Sequence, residues 1–216
     1  MRCNRVAILA AVVLGAVPAV CEQATVSAPQ TVLEWLQQEH RFLRRYLAVV
    51  QQATHDYSYG YQTSNLLMPV AIDLFTGYVA FLHEAEERFL YPALLPDTSP
   101  EQQRDLRLIE TDQKEESGSV QAWQQSLEQY EAGRKKLADV VEPIDYLGRM
   151  LNRHIVLQEE RLFPLLDLLT PQEQVLILKQ MDALEHEVIG ASDRSRYEQL
   201  LLYIEGEIKR IAGRIW

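Results

Sequence analysis

The stretch "HEAEERFLYP" at residues 83 to 92 recurs further along the chain as "HIVLQEERLFP" at residues 154 to 164. Each copy begins with a histidine, continues with paired glutamates and ends in an aromatic residue followed by proline. Apolar residues around both copies are spaced three and four apart, which is typical of the buried face of an α-helix. The two stretches therefore predict two helices, each with a histidine in its buried face.

The chain after residue 30 has the pattern of a helical protein. Apolar residues at three- and four-residue spacing occur along nearly all of it, and only nine glycines interrupt the 216 residues. Helices are predicted at about 31–53, 64–91, 100–130 and 136–168, followed by shorter helices from about 171 and over 193–212. We therefore predict an all-α domain at residues 31–213, an up-down four-helix bundle with one or two additional C-terminal helices.

Local signals mark where these helices begin, end and bend. Ser99-Pro100 and Thr170-Pro171 each predict a helix start, since hydroxyl side chains cap helices and proline is favoured at the first helical position. The tyrosine-rich "HDYSYGYQTSN" at 55–65 is predicted to be a loop. Pro143 is expected to bend or interrupt the fourth helix, because proline removes a backbone hydrogen bond.

The first twenty-one residues have the layout of a secretory signal peptide. A basic start, "MRCNR", precedes the apolar run "VAILAAVVLGAVPAV" at 6–20, which is short for a membrane span. We expect cleavage after Ala19 or Cys21, a short linker at 22–30, no membrane span after cleavage, and a periplasmic or secreted protein. Lipid attachment at Cys21 is a weaker alternative, because the preceding residues, including Pro18, suit it poorly.

Charge and cysteine content exclude several classes of function. The formal net charge is -10, and removal of the two arginines of the leader makes it -12. Such an acidic chain is unsuited to nucleic acid, which binds basic surfaces, and is better suited to cations. The only cysteines are Cys3 and Cys21, so the exported domain is expected to contain no thiolate metal site and no internal disulfide.

Polar residues interrupt the apolar stripe of each long helix. Three of these residues are the histidines His40, His83 and His154, and chance explains three such placements less easily than one. Histidine and carboxylate side chains that converge from facing helices are the usual way in which bundles hold iron or manganese. The ordinary alternative is that the histidines are hydrogen-bonded core residues and that Glu84, Glu86 and Glu87 form a solvated acidic patch. The candidate metal ligands are His40, His83, Glu87, His154 and Glu159, with Gln113, Glu116 and Gln158 as weaker candidates.

These residues give the chain a resemblance to the hemerythrin-like, HHE cation-binding family. The matching pieces are "QEHRFL" at 38–43, "HEAEERFLYPAL" at 83–94, "HIVLQEERLFPLL" at 154–166 and "LEHEVIGASDRSRYEQL" at 184–200. The resemblance implies a four-helix bundle around a non-haem iron site, often di-iron, that binds oxygen or nitric oxide or takes part in iron and redox handling.

The resemblance also implies roles for individual residues. His40, His83 and His154 match histidine ligands, and Glu87 matches a bridging carboxylate. Glu159 matches a second bridge, five residues after its histidine as in the oxygen-carrying members. In other members this carboxylate comes four residues after the histidine, where the present chain has Gln158.

The third helix departs from the family pattern. Where members have a Glu-His pair, this chain has Asp112 and Gln113, and no histidine occurs between His83 and His154. Three arrangements stay open. In the first, the site holds a single ion bound by His40, His83 and Glu87 together with His154 or Glu159. In the second, it is a di-metal centre completed by Glu116, Asp112 or water. In the third, it no longer binds metal.

The leading hypothesis is an exported metal-binding protein, with iron as the metal, that senses, carries or stores iron, oxygen or nitric oxide. One alternative is an iron-dependent reductase of nitric oxide, peroxide or oxygen. Another is a metal-free bundle that acts as an interaction module.

Overall fold

The computed structural model describes residues 29–58, 73–136, 138–190 and 193–212, and the leader and linker predictions for residues 1–28 lie outside these ranges. The described residues contain no strand, which confirms the all-α class. They form six helical segments. α1 is Val32–Ser58, α3 is Pro100–Glu131, α5 is Pro171–Val188 and α6 is Asp193–Ala212. α2 covers 74–94, and α4 covers 138–168.

α2 and α4 change their helical form along their length. α2 consists of a π turn Leu74–Val79, an α segment Ala80–Ala85, a second π turn Glu86–Leu90 and a short α segment Tyr91–Leu94. α4 is α-helical over Ala138–Leu157, continues as a π turn Gln158–Leu162 and ends as the 3₁₀ segment Phe163–Leu168. Single π turns within helices are rare and occur frequently at functional sites. Here a π turn lies in each copy of the repeated motif.

The two helix starts predicted at Ser99 and Thr170 are confirmed. Ser99 accepts a hydrogen bond from the backbone of Gln102, whose side chain bonds back to Ser99, and Pro100 is the first helical residue. Thr170 and Glu173 form the same reciprocal arrangement before α5. Such capping boxes satisfy backbone donors that have no partner inside the helix.

One boundary prediction is wrong, and a second is wrong in part. α1 continues to Ser58, so the beginning of the predicted 55–65 loop is helical; the rest of that loop and the predicted start of α2 lie outside the described residues. Pro143 does not interrupt α4, which is helical from Ala138 onwards. Pro143 is the sixth residue of this helix, so its missing N–H removes one intrahelical hydrogen bond without ending the helix, and a bend at this position stays a prediction.

The first four helices enclose the main core, and the last two pack on its outside. α3 packs along α4, α1 packs on α4, and α5 and α6 both contact α1. Gly77 in the first π turn allows α6 to approach α2 closely, because a Cβ there would clash with the Tyr197 hydroxyl. The largest fully buried side chains include Trp123, Tyr46, Tyr78, Tyr91 and Phe81. Among the helices that the structure describes, none is long and apolar enough to span a membrane.

Candidate metal centre

The three predicted histidines meet inside the bundle. His40 comes from α1, His83 from α2 and His154 from α4, and all three are buried. They line a central space of about 10 Å³. This volume is near the minimum that can hold one water molecule. The other polar residues around the central space are Glu39, Glu86 and Gln158.

The carboxylate of α2 that lines the central space is Glu86, not Glu87. Glu86 is 3% exposed, whereas Glu87 lies on the surface, so the predicted inward position of Glu87 is wrong. The prediction assumed ideal α-helical spacing after His83. Residues 80–85 are α-helical, and positions three and four residues after His83 lie near the same helix face, so helical spacing alone does not distinguish Glu86 from Glu87. Glu86 also does not belong to the solvated acidic patch of the alternative interpretation.

Glu86 accepts three hydrogen bonds at one oxygen. Its Oε2 accepts from the Tyr91 hydroxyl at 2.8 Å, from Gln113 Nε2 at 2.7 Å and from Gln158 Nε2 at 2.6 Å. Burial raises the pKa of Glu86 despite these donors. Gln113 and Gln158 thus both contact Glu86, and they occupy the two positions where the resemblance implied ligands.

His40 is hydrogen-bonded through both ring nitrogens. Its Nε2 lies 2.8 Å from Gln158 Oε1 and its Nδ1 lies 3.1 Å from Glu159 Oε1. Glu159 is half-buried and is held by Arg44 through two hydrogen bonds of 2.7 Å. The bonds from Arg44 keep the pKa of Glu159 below its ordinary value. Glu159 therefore lies at the rim of the site in an ion pair, and Gln158 takes the inward position.

One ring nitrogen of His154 is hydrogen-bonded, whereas the other has no partner among the described residues. Its Nδ1 lies 3.2 Å from Asp112 Oδ2, and Asp112 is bonded in turn by Arg153. Its Nε2 is buried and has no hydrogen-bond partner among the described residues. Burial acts to lower the pKa of His154, but the bond to Asp112 and the charges of Glu86 and Glu116 outweigh it and raise the pKa.

His83 lies next to His154 with the two rings edge to face and their centroids 5.1 Å apart. Burial, assisted by the nearby charge of His154, lowers the pKa of His83 to about 3. The ring is therefore neutral at physiological pH. Neutral imidazole is the form that binds metal ions.

α3 contributes Asp112, Gln113 and Glu116, all of them buried. Glu116 makes no hydrogen bond with either carboxylate oxygen, and Gln113 Oε1 also lacks a partner in the described structure. Burial raises the pKa of Glu116 to about 7. The histidine that the family pattern expects on this helix is thus replaced by an amide bonded to Glu86, with a carboxylate one turn further on.

Among the described residues, no group of three His, Cys, Asp or Glu side chains is arranged to hold a metal ion. The chemistry of the donors nevertheless fits a cation, because an unused imidazole nitrogen, a neutral second imidazole and a buried carboxylate surround one small space. His154 also has the arrangement typical of a metal ligand, in which the second ring nitrogen bonds a carboxylate. Because these side chains are not arranged as a ligand set, binding at this space requires side-chain adjustment.

Sequence reasoning missed Glu86, Tyr91 and Arg44. Glu86 could have been found by counting back from proline, since Glu86 and Gln158 each lie six residues before Pro92 and Pro164. Counting forward from the histidines misaligns the copies, because His83 is nine residues before its proline and His154 is ten. No local sequence pattern indicates the contact of Arg44 with Glu159.

A helical bundle with buried histidines and carboxylates at its centre defines a class of cation-binding domains. The family model of the hemerythrin HHE cation binding domain matches residues 31–166, and the chain belongs to this family. The match covers α1, α2, α3 and all but the last two residues of α4, while α5 and α6, with the tail segment at 184–200, lie beyond it. No match was found among the curated proteins or among the solved structures.

Proposed function

We propose that the chain binds one metal ion in the central space, with His83, His154 and Glu86 as its ligands and iron(II) as the metal. The observation that carries the proposal is the buried, unpartnered Nε2 of His154, whose ring is held by Asp112. Two histidines and one carboxylate with open positions form a ligand set that suits non-haem iron(II). Such an ion, when bound, supplies a site for oxygen or nitric oxide.

The surrounding residues have supporting roles in this proposal. Asp112 fixes the ring orientation of His154, and Gln158 links His40 to Glu86 through its two amide atoms. To bind the ion, Glu86 exchanges a hydrogen bond for coordination. The raised pKa of His154 means that a proton competes for its ring, so binding weakens as the pH falls.

The test is iron content per chain. Wild-type protein is reconstituted with iron(II) without oxygen, desalted and analysed for iron, beside His83→Ala, His154→Ala and His186→Ala. His186 is exposed on α5, so its variant is the matched control. We expect close to one iron in the wild type and control and none in the other two. Absence of iron in the wild type, or equal iron in all four proteins, contradicts the proposal.

A metal-free interaction module is the second candidate. The observation in its favour is the hydrogen-bond network in which Gln113, Gln158 and Tyr91 already satisfy one oxygen of Glu86. A metal that binds only the folded chain raises the melting temperature. The module predicts the same melting temperature with iron(II) and with a chelator, whereas the metal centre predicts a higher one with iron(II).

We also propose that the protein is exported and that it senses, carries or stores iron, oxygen or nitric oxide. Support for export comes from the leader-like residues 1–21. Cell fractionation with mass analysis of the intact chain tests it. A periplasmic or secreted protein that begins after Ala19 or Cys21 is the expected result, and an uncleaved cytoplasmic protein contradicts it.

A further inference from the structure

A second, larger pocket lies between α2 and α3. Its volume is about 320 Å³, which is within the range of small-molecule sites. It is distinct from the central space, although His83 borders both. The described residues that line it are Phe75, Thr76, Val79, Ala80, His83, Glu116, Ser117, Val120, Gln121 and Gln124.

Glu116 gives this pocket a buried carboxyl group without a hydrogen-bond partner among the described residues. The side chain lines the pocket, is 1% exposed, and has no hydrogen-bond partner for either oxygen in the described structure. No lysine or arginine occurs among the described residues of the wall. A buried carboxylate without a partner is unfavourable, so this position favours a ligand that brings a hydrogen-bond donor or a positive charge.

The remainder of the wall suits the apolar part of such a ligand. Phe75, Val79 and Val120 are buried hydrophobic residues on facing sides. An aromatic ring such as that of Phe75 also attracts a cationic head group. Ala80 lies at an exposed position of the wall and so gives access to the pocket from outside.

We propose that this pocket binds a small organic cation, a primary ammonium group on a short apolar body. The ammonium group donates hydrogen bonds to Glu116, and the apolar body packs on Phe75, Val79 and Val120. This site needs no metal ion, and Glu116 is not among the ligands proposed for the central space. The two proposals therefore stand or fall separately.

Calorimetric titration of the chelator-treated full chain with butylamine, benzylamine and their alcohol counterparts tests the proposal. We compare wild type with Glu116→Gln, which removes the charge and keeps the shape, and with Ala80→Phe, which fills the pocket from its exposed side. The matched control is Glu115→Gln, since Glu115 is the exposed neighbour of Glu116. Circular dichroism verifies that each variant is folded.

We expect at least one amine to bind the wild type and the Glu115 variant about tenfold or more tightly than its alcohol, as a charge-assisted hydrogen bond implies. Both Glu116→Gln and Ala80→Phe should lose at least that factor. The proposal is overturned if neither amine binds, if alcohols bind as well as amines, or if Glu116→Gln retains wild-type affinity. The iron content of the His83 and His154 variants is unaffected by any of these outcomes.

Discussion

Glu86 and Gln158, which occupy equivalent positions in the two copies of the motif, are joined by a 2.6 Å hydrogen bond from Gln158 Nε2 to Glu86 Oε2. Each residue begins a π turn, and each lies six residues before a proline. The bond connects α2 and α4 at the centre of the bundle. An amide at one of the two positions donates a hydrogen bond to the buried carboxylate at the other and avoids like-charge repulsion between these two positions.

The substitution Gln158→Glu tests this arrangement. It replaces the donor to Glu86 by a second carboxylate, so the metal-free variant should be less stable by about 1–3 kcal/mol. Iron(II) should stabilise the variant more than the wild type, because a cation relieves the repulsion. Thermal unfolding with iron(II) and with a chelator measures both effects. Gln172→Glu, at an exposed position of α5, serves as the control, and equal responses of the two variants would disprove the arrangement.

The bond between Asp112 and His154 predicts a role in positioning. Asp112→Asn should weaken iron(II) binding by roughly 10- to 100-fold, as loss of such a carboxylate partner does in other metal sites. Competition with a chelator of known affinity provides the measurement. Glu115→Gln is the matched control, because Glu115 shares the ion pair with Arg153 but is exposed. Wild-type affinity in Asp112→Asn contradicts the role.

The burial of His83 predicts that the metal-free fold loses stability in acid. Its pKa is lowered from 6.5 to about 3, so the unfolded chain binds an additional proton between these values. Stability contributed by neutral His83 is therefore present above about pH 6.5 and decreases as the pH falls toward 3. Urea unfolding between pH 4 and pH 7 should show a shallower decrease for His83→Leu than for the wild type. An identical pH slope in both proteins is the contrary result.

The burial of Glu116 predicts the opposite dependence of stability on pH. Burial raises its pKa from 4.5 to about 7, so the folded chain binds the additional proton in this window and stability falls as the pH rises through it. Glu116→Gln should therefore stabilise the metal-free chain above pH 7, by an amount on the order of 3 kcal/mol, and by much less at pH 4. Urea unfolding at both pH values measures the difference. A stabilisation that is equal at both contradicts the buried, unpaired state of Glu116.

The sequence was sufficient to predict the helices and the burial of the three histidines. Their position in apolar stripes at three- and four-residue spacing predicted that His40, His83 and His154 face the core, and they do. Ser99 and Thr170 likewise act at the predicted helix starts. These features depend on local periodicity and on capping, both of which are determined by residues that lie close together in the sequence.

The details of the site depend on helix phase and on tertiary contacts. Glu86 and Glu87 follow His83 by three and four residues and lie near the same helix face, so the count from His83 does not decide which of them is buried. The bond of Arg44 to Glu159 joins residues of α1 and α4 that are far apart in sequence. Such pairings follow from the relative rotation of packed helices, which the periodicity of one helix does not specify.

Iron content of the neighbouring variants Glu86→Gln and Glu87→Gln tests the central claim most directly. The two substitutions make the same chemical change one residue apart, once in the central space and once on the surface. Each variant is reconstituted with iron(II) without oxygen, desalted and analysed beside the wild type. The proposed centre predicts close to one iron per chain in the wild type and in Glu87→Gln and little or none in Glu86→Gln. Full iron content in Glu86→Gln, or its loss only in Glu87→Gln, would contradict a centre built on Glu86.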